Sequence, residues 1–231
     1  NNFAGALSFG GTLANFRDIG LRNTNAGAAV PTLSGLTNLR NLTLTFDSTP
    51  VNLPTLTASG TLNVTAGGAI TDSGNLTVTG TTTLAAGAGN DITLDSAGNN
   101  FSTASVISGN NVTLRDTNAL DLGTSTISGT LNVTTSGAIT DSGNLVVTGA
   151  TTLASGAANS ITLNNAGNNF STVGITSGNN VTLVDVNALD LGISTVSGTL
   201  GVTTGGELTQ SGPLAVTGTT TLAAGAGNDI I

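Results

Sequence analysis

Four aspartates are the side chains of this chain whose type and spacing best suit chemistry. Asp116 and Asp121 lie five residues apart, and the same pair recurs at Asp185 and Asp190. Two carboxylates at short spacing can serve as the general acid and general base that cleave a glycosidic bond. The interpretation that we favour is that they are solvated aspartates of turns and strand edges. On this pair alone, a glycan-active enzyme stays an open alternative.

The stretch GAGND, at Gly87 to Asp91, resembles glycine-rich turns that bind calcium, because aspartates and backbone carbonyls are hard oxygen ligands. Its counterpart further along the chain is GAANS, which ends at Ser160 and has lost the carboxylate. The comparison favours an ordinary turn. We predict no metal site and no cofactor.

Nucleophilic catalysis has little support in the composition. The chain contains no Cys, His, Met, Trp, Tyr or Lys. Serine and threonine are abundant, but without His or Lys they have no ordinary base to activate them. We therefore predict no catalytic residues and no enzymatic activity.

The charges and the apolar pattern each exclude one class of partner. Charged residues make up 7% of the chain, the net charge is −8, and the basic residues are four arginines. No basic patch can neutralise a phosphate backbone, so we expect no nucleic acid as a partner. No apolar run approaches the ~18 residues of a membrane span, so we expect no membrane insertion.

The elements that must position these side chains follow from an internal repeat. The segment SGTLNVTAGGAITDSGNL, which begins at Ser59, recurs from Ser128 and more loosely from Ser197, at offsets of 69 residues. Within one copy, apolar and small polar residues alternate, as where Leu62 and Val64 flank Asn63. This period of two predicts β-strands, and the Gly, Ser and Asn clusters between them predict turns.

A fixed period without insertions favours a right-handed parallel β-helix, since equivalent positions of stacked coils share one environment. Strand starts at Gly60, Gly74, Asn90, Asn110 and Gly129 are spaced 14, 16, 20 and 19 residues apart, which suggests about four coils in each repeat. The chain as a whole would then be a rod of about 13 coils and ~60 Å.

The chain divides into two regions. Residues 1–58 are expected to form divergent coils, because NNF at Asn1 reappears at Asn99 and Asn168, and LRNTNA from Leu21 echoes LRDTNA from Leu114. Residues 59–231 form the regular repeats 60–128, 129–197 and a partial copy, 198–231. Because the last residues are nearly in phase with the first, we expect either a segment of a longer protein or copies that associate head to tail.

Two surface patterns carry weaker hypotheses. Threonine pairs such as Thr43 and Thr45 resemble the arrays with which some β-helices bind ice, but coils of 14 to 20 residues would scatter such an array. Strand propensity accounts for most of the threonine. Acceptor sequences for N-linked sugars occur at Asn41, Asn63, Asn75, Asn100, Asn111, Asn132, Asn169 and Asn180.

The runs SGTLNVTAGGAITDSGNLTVTGTTTLAAGAGNDITL and AGNNFSTVGITSGNNVTLVDVNALDLG resemble the repeat region of filamentous-haemagglutinin-like exoproteins of bacteria. The resemblance covers residues 53–231. No stretch of this sequence is recognisable as the amino-terminal secretion domain of that family. It implies a large secreted protein, exported through an outer-membrane partner and displayed as a β-helical fibre for adhesion, aggregation or biofilm formation.

These observations together predict a secreted or surface-displayed bacterial fibre segment whose role is mechanical. Host or cell-surface glycans are candidate partners of such an adhesin. Two alternatives are a filament subunit that stacks head to tail and, from a different class, a β-helical glycan-active enzyme.

Overall fold

The computed structural model describes residues 1–231, which consist almost wholly of short β-strands. Their residues alternate between inward apolar and outward polar side chains, a pattern that suits a pleated wall with one buried face. The one helical element, the 3₁₀ turn Leu13–Asn15, is far too short to cross a membrane. The strands are β1 (Asp18–Asn23), β2 (Asn41–Phe46), β3 (Val51–Leu53), β4 (Leu56–Ala58), β5 (Leu62–Ala66), β6 (Ile70–Asp72), β7 (Leu76–Ala85), β8 (Ile92–Leu94), β9 (Asn100–Ser108), β10 (Val112–Asp116), β11 (Leu120–Leu122), β12 (Ser125–Ile127), β13 (Leu131–Thr135), β14 (Ile139–Asp141), β15 (Leu145–Ala154), β16 (Ile161–Leu163), β17 (Asn169–Gly178), β18 (Val181–Asp185), β19 (Leu189–Val196), β20 (Leu200–Thr204), β21 (Leu208–Gln210), β22 (Leu214–Val216) and β23 (Thr220–Ala223).

The strands form two parallel sheets. The first sheet follows the order β1-β2-β5-β7-β9-β11-β14-β16-β18-β20-β23, and β4 pairs with the start of β7. The second sheet follows the order β21-β19-β17-β15-β13-β10-β8-β6-β3, with β12 beside β15 and β22 beside β19. The chain passes repeatedly from one sheet to the other, which confirms the predicted parallel β-solenoid.

The number of turns differs from the prediction. Paired residues on adjacent turns lie 18 to 23 residues apart, as in the pairs Thr103–Asp121 and Thr77–Asn100. The eleven successive strands of the first sheet therefore correspond to about ten turns, where the sequence suggested 13. The predicted coil was too short because some of the Gly, Ser and Asn clusters in the sequence form corners within a coil. At these corners the chain passes to the other sheet without completing a coil.

One repeat occupies three and a half turns instead of the predicted four. Leu62 lies in the first sheet and pairs with Thr82 on the next turn. Thr82 pairs with Ala104, and Ala104 pairs with Leu122, so Leu122 lies three turns beyond Leu62. Its sequence counterpart Leu131 lies half a turn further on, in the second sheet, and the next counterpart, Leu200, is in the first sheet again. Successive copies therefore present the same sequence on opposite sides of the solenoid.

A single apolar core runs through the stack. It contains 47 buried apolar residues, and the largest are Phe46, Phe101 and Phe170. The inward residues of each strand lie on those of the next turn, as Leu62 and Val64 lie on Leu42 and Leu44. Burial of this apolar surface is the main favourable contribution to folding.

Some corners require glycine because neighbouring turns approach too closely for a side chain. A Cβ atom on Gly80 would lie 2.6 Å from the carbonyl oxygen of Gly60 on the preceding turn. Gly149 and Gly129 repeat this contact at 2.6 Å one copy later. The backbone N–H of Gly80 donates to the same Gly60 oxygen at 2.9 Å, so the close approach is part of the hydrogen-bond ladder.

The opening residues carry contacts equivalent to those of the later copies. The side chain of Asn23 accepts the backbone N–H of Phe3, as Asp116 accepts that of Phe101. The segment between β1 and β2 is longer and irregular, and it buries Leu33, Leu36 and Leu39.

Candidate functional surface

Asp116 lies inside the wall of the solenoid. It follows the inward residues Val112 and Leu114 on β10, and 2% of its surface is exposed. Its carboxylate accepts the backbone N–H of Phe101 at 2.5 Å and that of Asn118 at 2.8 Å. Burial raises the pKa of Asp116 above its ordinary value, and the two hydrogen bonds partly oppose this increase.

The same arrangement recurs in the next copy. Asp185 accepts the N–H groups of Phe170 and Asn187 at 2.6 and 2.9 Å, and burial raises its pKa in the same way. The interpretation of Asp116 and Asp185 as solvated aspartates was therefore wrong. The alternation of inward positions along Val112, Leu114 and Asp116 is the sequence signal that indicates their burial.

The structure does not bring Asp116 and Asp121 together as an acid–base pair. Asp121 is the outward residue of β11, between buried Leu120 and Leu122. Its carboxylate accepts hydroxyl hydrogen bonds from Thr140 and Ser142 of the next turn. Asp190 repeats these contacts with Thr209 and Ser211. One carboxylate of each pair thus faces the core and the other faces solvent.

The surface grooves of the molecule are not lined by carboxylates. Two of them are equivalent and lie one repeat apart, so they open on opposite sides of the solenoid. The first is lined by Thr77, Asn100, Ser102 and Asn118, and the second has Val146 in place of Thr77. None of the five grooves includes Asp116, Asp121, Asp185 or Asp190.

The glycine-rich stretch at Gly87 to Asp91 forms a corner. Gly87 has a φ of 85°, a left-handed conformation that glycine adopts without strain. One carboxylate oxygen of Asp91 accepts three hydrogen bonds from Asn110 and Asn111 of the next turn. No group of three or more His, Cys, Asp or Glu side chains is placed to hold a metal ion.

A second carboxylate network escaped the sequence analysis. Asp72 accepts the N–H groups of Asp95 and Ser96 at 3.2 Å, and the side-chain amide of the fully buried Asn99 at 2.6 Å. Asn99 in turn accepts the N–H of Leu76 at 2.8 Å. Asp141 and Asn168 repeat this network in the second copy. In both copies the network joins one corner of the repeat to the next turn by hydrogen bonds.

Outward side chains form rows along the solenoid, contrary to the expectation that they would be scattered. One row of the first sheet passes in register through Thr81, Thr103, Asp121, Thr140, Thr162, Thr182, Gly201 and Thr221. Coils of unequal length still align because the extra residues are accommodated at corners and bulges. The spacing within a strand is unchanged.

The candidate glycosylation positions belong mostly to similar rows. The side-chain oxygens of Asn41, Asn111 and Asn180 accept hydrogen bonds from Thr61, Thr130 and Thr199 of the next turn. Asn100 and Asn169 accept the side-chain amides of Asn118 and Asn187. These asparagines therefore link adjacent turns.

The two ion pairs lie near the amino-terminal turns. Arg22 binds Asp47 at 2.8 Å, and Arg40 binds Asp18. The hydrogen bond from Arg40 lowers the pKa of Asp18, and the hydrogen bond to Asp47 raises the pKa of Arg22. Both pairs are exposed to solvent, which weakens such interactions.

Comparison with known proteins identified one match. A family model described as repeats of unknown function (DUF5649) matches three consecutive segments, residues 39–108, 109–177 and 178–231. Neither the curated proteins nor the solved structures provided a match.

Proposed function

The chain belongs to the DUF5649 family of repeats, and from its architecture we propose that it is a structural shaft segment of a secreted or surface-displayed bacterial adhesin or extracellular fibre. Its role in this proposal is mechanical: it holds other parts of the fibre at a fixed distance and supports adhesion, aggregation or biofilm formation. It catalyses no reaction.

The observation that carries this proposal is the unbroken core. The apolar cluster and the parallel pairing continue from β1 to β23 without an internal boundary. Ten turns at a strand spacing of ~4.8 Å give a rod of about 48 Å. A rod that is hydrogen-bonded at every turn resists bending, whereas a flexible linker of the same length changes its end-to-end distance continually.

The carboxylates support a non-enzymatic role. Asp116 and Asp185 are each bound to two backbone N–H groups, and Asp121 and Asp190 are bound to hydroxyl groups of the next turn. None of these side chains lines a groove in which a glycan chain would have to lie. The β-helical glycan-active enzyme is therefore the weaker alternative.

The resemblance to filamentous-haemagglutinin-like exoproteins supports the location in this proposal. It suggests export through an outer-membrane partner and display outside the cell, where glycans are candidate ligands of the complete fibre. The lack of cysteine suits an oxidising environment. We also propose the right-handed coil, because nearly all parallel crossover connections have that hand.

The shaft is tested by measuring its length in solution. Because the chain has no cysteine, single cysteines introduced at the exposed positions Thr43 and Thr203 can carry two spin labels. We expect a single narrow distance distribution that does not change with salt. A broad distribution, as a flexible linker of equal residue number would give, would refute the shaft.

The function is tested by display on bacteria that lack adhesins of their own. A binding module is placed on the cell surface through this chain, or through a flexible Gly/Ser linker of equal residue number as the control. We expect stronger cell aggregation with the chain, and equal aggregation would contradict the proposal.

Electron microscopy of the purified protein at increasing concentration tests the alternative of a filament subunit that stacks head to tail. Such filaments would appear as long uniform fibres.

A further inference from the structure

The first sheet carries a regular array of threonines on four consecutive turns. We define the threonine grid as eight polar outward residues of β2, β5, β7 and β9 together with Thr61, which directly precedes β5; Ala85 and Ile107 lie at its edge and do not belong to it. Register pairs Thr43 with Asn63, Thr83 and Ser105 along one row, and Thr45 with Thr65 along another. The grid consists of Thr43, Thr45, Thr61, Asn63, Thr65, Thr81, Thr83, Thr103 and Ser105.

The backbone fixes the spacing of the grid in both directions. Adjacent turns are ~4.8 Å apart, and outward residues of one strand are roughly 6.6 Å apart. The inward neighbours Leu62, Val64 and Leu84 are completely or almost completely buried, so these strands are anchored to the core. The threonine side chains therefore stand at repeating positions on a rigid wall.

The hydroxyl groups of the grid are free to bind solvent. Those of Thr43, Thr45, Thr65, Thr81, Thr83 and Thr103 make no hydrogen bond within the protein. Thr61 differs, since its hydroxyl donates to Asn41 at 3.1 Å. Each of the free threonines presents a methyl group beside its hydroxyl.

The grid contains no charged side chain. Charges begin only at its borders, with Arg22 beside Thr45 on the preceding turn and Asp121 beside Thr103 on the following turn. An uncharged surface favours an uncharged occupant, because no ion is present to repay the desolvation of an opposite charge.

We propose that the threonine grid binds ice. A flexible peptide or a single glycan chain makes no use of spacing that repeats in two directions, whereas the surface of a crystal does. Water held by the hydroxyl groups, with the methyl groups between them, presents an ordered layer to the oxygen lattice of ice. This function goes beyond the shaft and does not depend on it.

The second copy provides a comparison within the same molecule. Its corresponding positions lie on the second sheet, because one repeat spans three and a half turns. Arg115, Ala150 and Gly174 occur there in place of Thr45, Thr81 and Ser105. The second sheet therefore carries a charge and fewer hydroxyl groups, and we expect it not to bind ice.

The experiment measures thermal hysteresis and inhibition of ice recrystallisation by the purified full chain. The test variant is Thr81→Lys with Thr83→Lys, in the grid. The matched control is Ala150→Lys with Thr152→Lys, which introduces the same charges at the equivalent outward positions of the second sheet. Circular dichroism checks that each variant keeps its β-structure.

We expect the unmodified chain to depress the freezing point below the melting point. The grid variant should lose this activity, and the control variant should retain it. An unmodified chain without activity, or equal loss in both variants, would overturn the proposal. Sedimentation with microcrystalline cellulose is measured in parallel, and binding to cellulose without any effect on ice would likewise overturn it.

Discussion

At the scale of single residues, the informative side chains are buried polar groups. Asp116 and Asp185 each satisfy two backbone N–H groups, and the divergent region 1–58 has Asn23 at the corresponding position. The Asn23 side-chain oxygen accepts the equivalent N–H groups, those of Phe3 and Asn25, and its amide donates to the carbonyl oxygen of Phe3. The site therefore accepts a neutral side chain.

This equivalence predicts how stability depends on pH. Because the pKa of Asp116 and Asp185 is raised in the folded state, the folded chain binds more protons than the unfolded chain above the ordinary pKa of about 3.9. Each group therefore lowers the free energy of unfolding as pH rises from that value through the folded pKa. We expect the variant Asp116→Asn with Asp185→Asn to lack this decrease and to be at least as stable at pH 7.

The measurement is urea denaturation followed by circular dichroism between pH 3.5 and 7. The control is Asp116→Ala, which leaves the N–H groups of Phe101 and Asn118 without an acceptor, so we expect it to be about 1–3 kcal/mol less stable than Asp116→Asn at every pH. If the double asparagine variant keeps the wild-type pH dependence, the decrease in the free energy of unfolding with rising pH comes from other titratable groups.

The hydroxyl groups of Thr82 and Thr151 provide a second residue-scale prediction. Both are buried and have no hydrogen-bond partner. Thr82→Val keeps the shape and removes the buried hydroxyl, so we expect stabilisation by about 1 kcal/mol. Thermal denaturation checks this result, with the outward Thr83→Val as the control. Destabilisation by Thr82→Val would mean that the hydroxyl is bonded after all.

The sequence indicates these residues only in part. Alternation along β10 places Asp116 on the inward side, but the aspartate was interpreted from its residue type as solvated. Its partner Phe101 lies 15 residues earlier, on the preceding coil. No local pattern identifies such a contact, because it depends on how many residues complete one turn.

At the scale of strands and corners, close packing between turns decides which glycines are required. A side chain on Gly80 would meet the Gly60 carbonyl oxygen, whereas one on Gly89 would meet nothing within 4 Å. Both glycines lie outside the left-handed region. They therefore separate the effect of close approach from that of backbone conformation.

We expect Gly80→Ala to destabilise the chain by about 1–3 kcal/mol, since the wall must shift to relieve the overlap. The control Gly89→Ala should change stability by less than about 0.5 kcal/mol. Chemical denaturation of the two variants side by side measures both effects. Equal stability of the two variants would mean that the backbone at Gly60 shifts to accommodate the added methyl group without loss of stability.

The strands themselves were predictable, and the coils were not. The period of two identifies β5 from Leu62, Asn63 and Val64, because each strand has one buried and one exposed face. The clusters around Gly74 and Asn90 are equally clear as turns. A loop in the sequence can complete a coil or can only carry the chain from one sheet to the other, and which of the two it does depends on packing against the preceding coil. The spacing of strand starts does not distinguish these cases, so it predicted a coil that is too short.

At the scale of the whole molecule, each copy joins its neighbours through equivalent surfaces. The repeats have the same length, and Ser128–Gly129 and Ser197–Gly198 are equivalent junctions. Stability in such stacks is approximately a sum over repeats and the interfaces between them.

Removing residues 129–197 should therefore leave a folded chain. Ser128 would then precede Gly198, as Ser197 does naturally, and we expect a cooperative transition and a rod shorter by about 17 Å, or three and a half turns of ~4.8 Å. Small-angle scattering measures the length. A collapsed or aggregated product would mean that the copies are not interchangeable.

The half turn in each repeat has a consequence for how such a chain evolves. Tandem duplication of one 69-residue unit would rotate everything that follows it by half a circumference, whereas duplication of two units would restore the original orientation. Selection for a surface that must point in one direction would then act on the parity of the copy number. Length could change freely only in pairs of units.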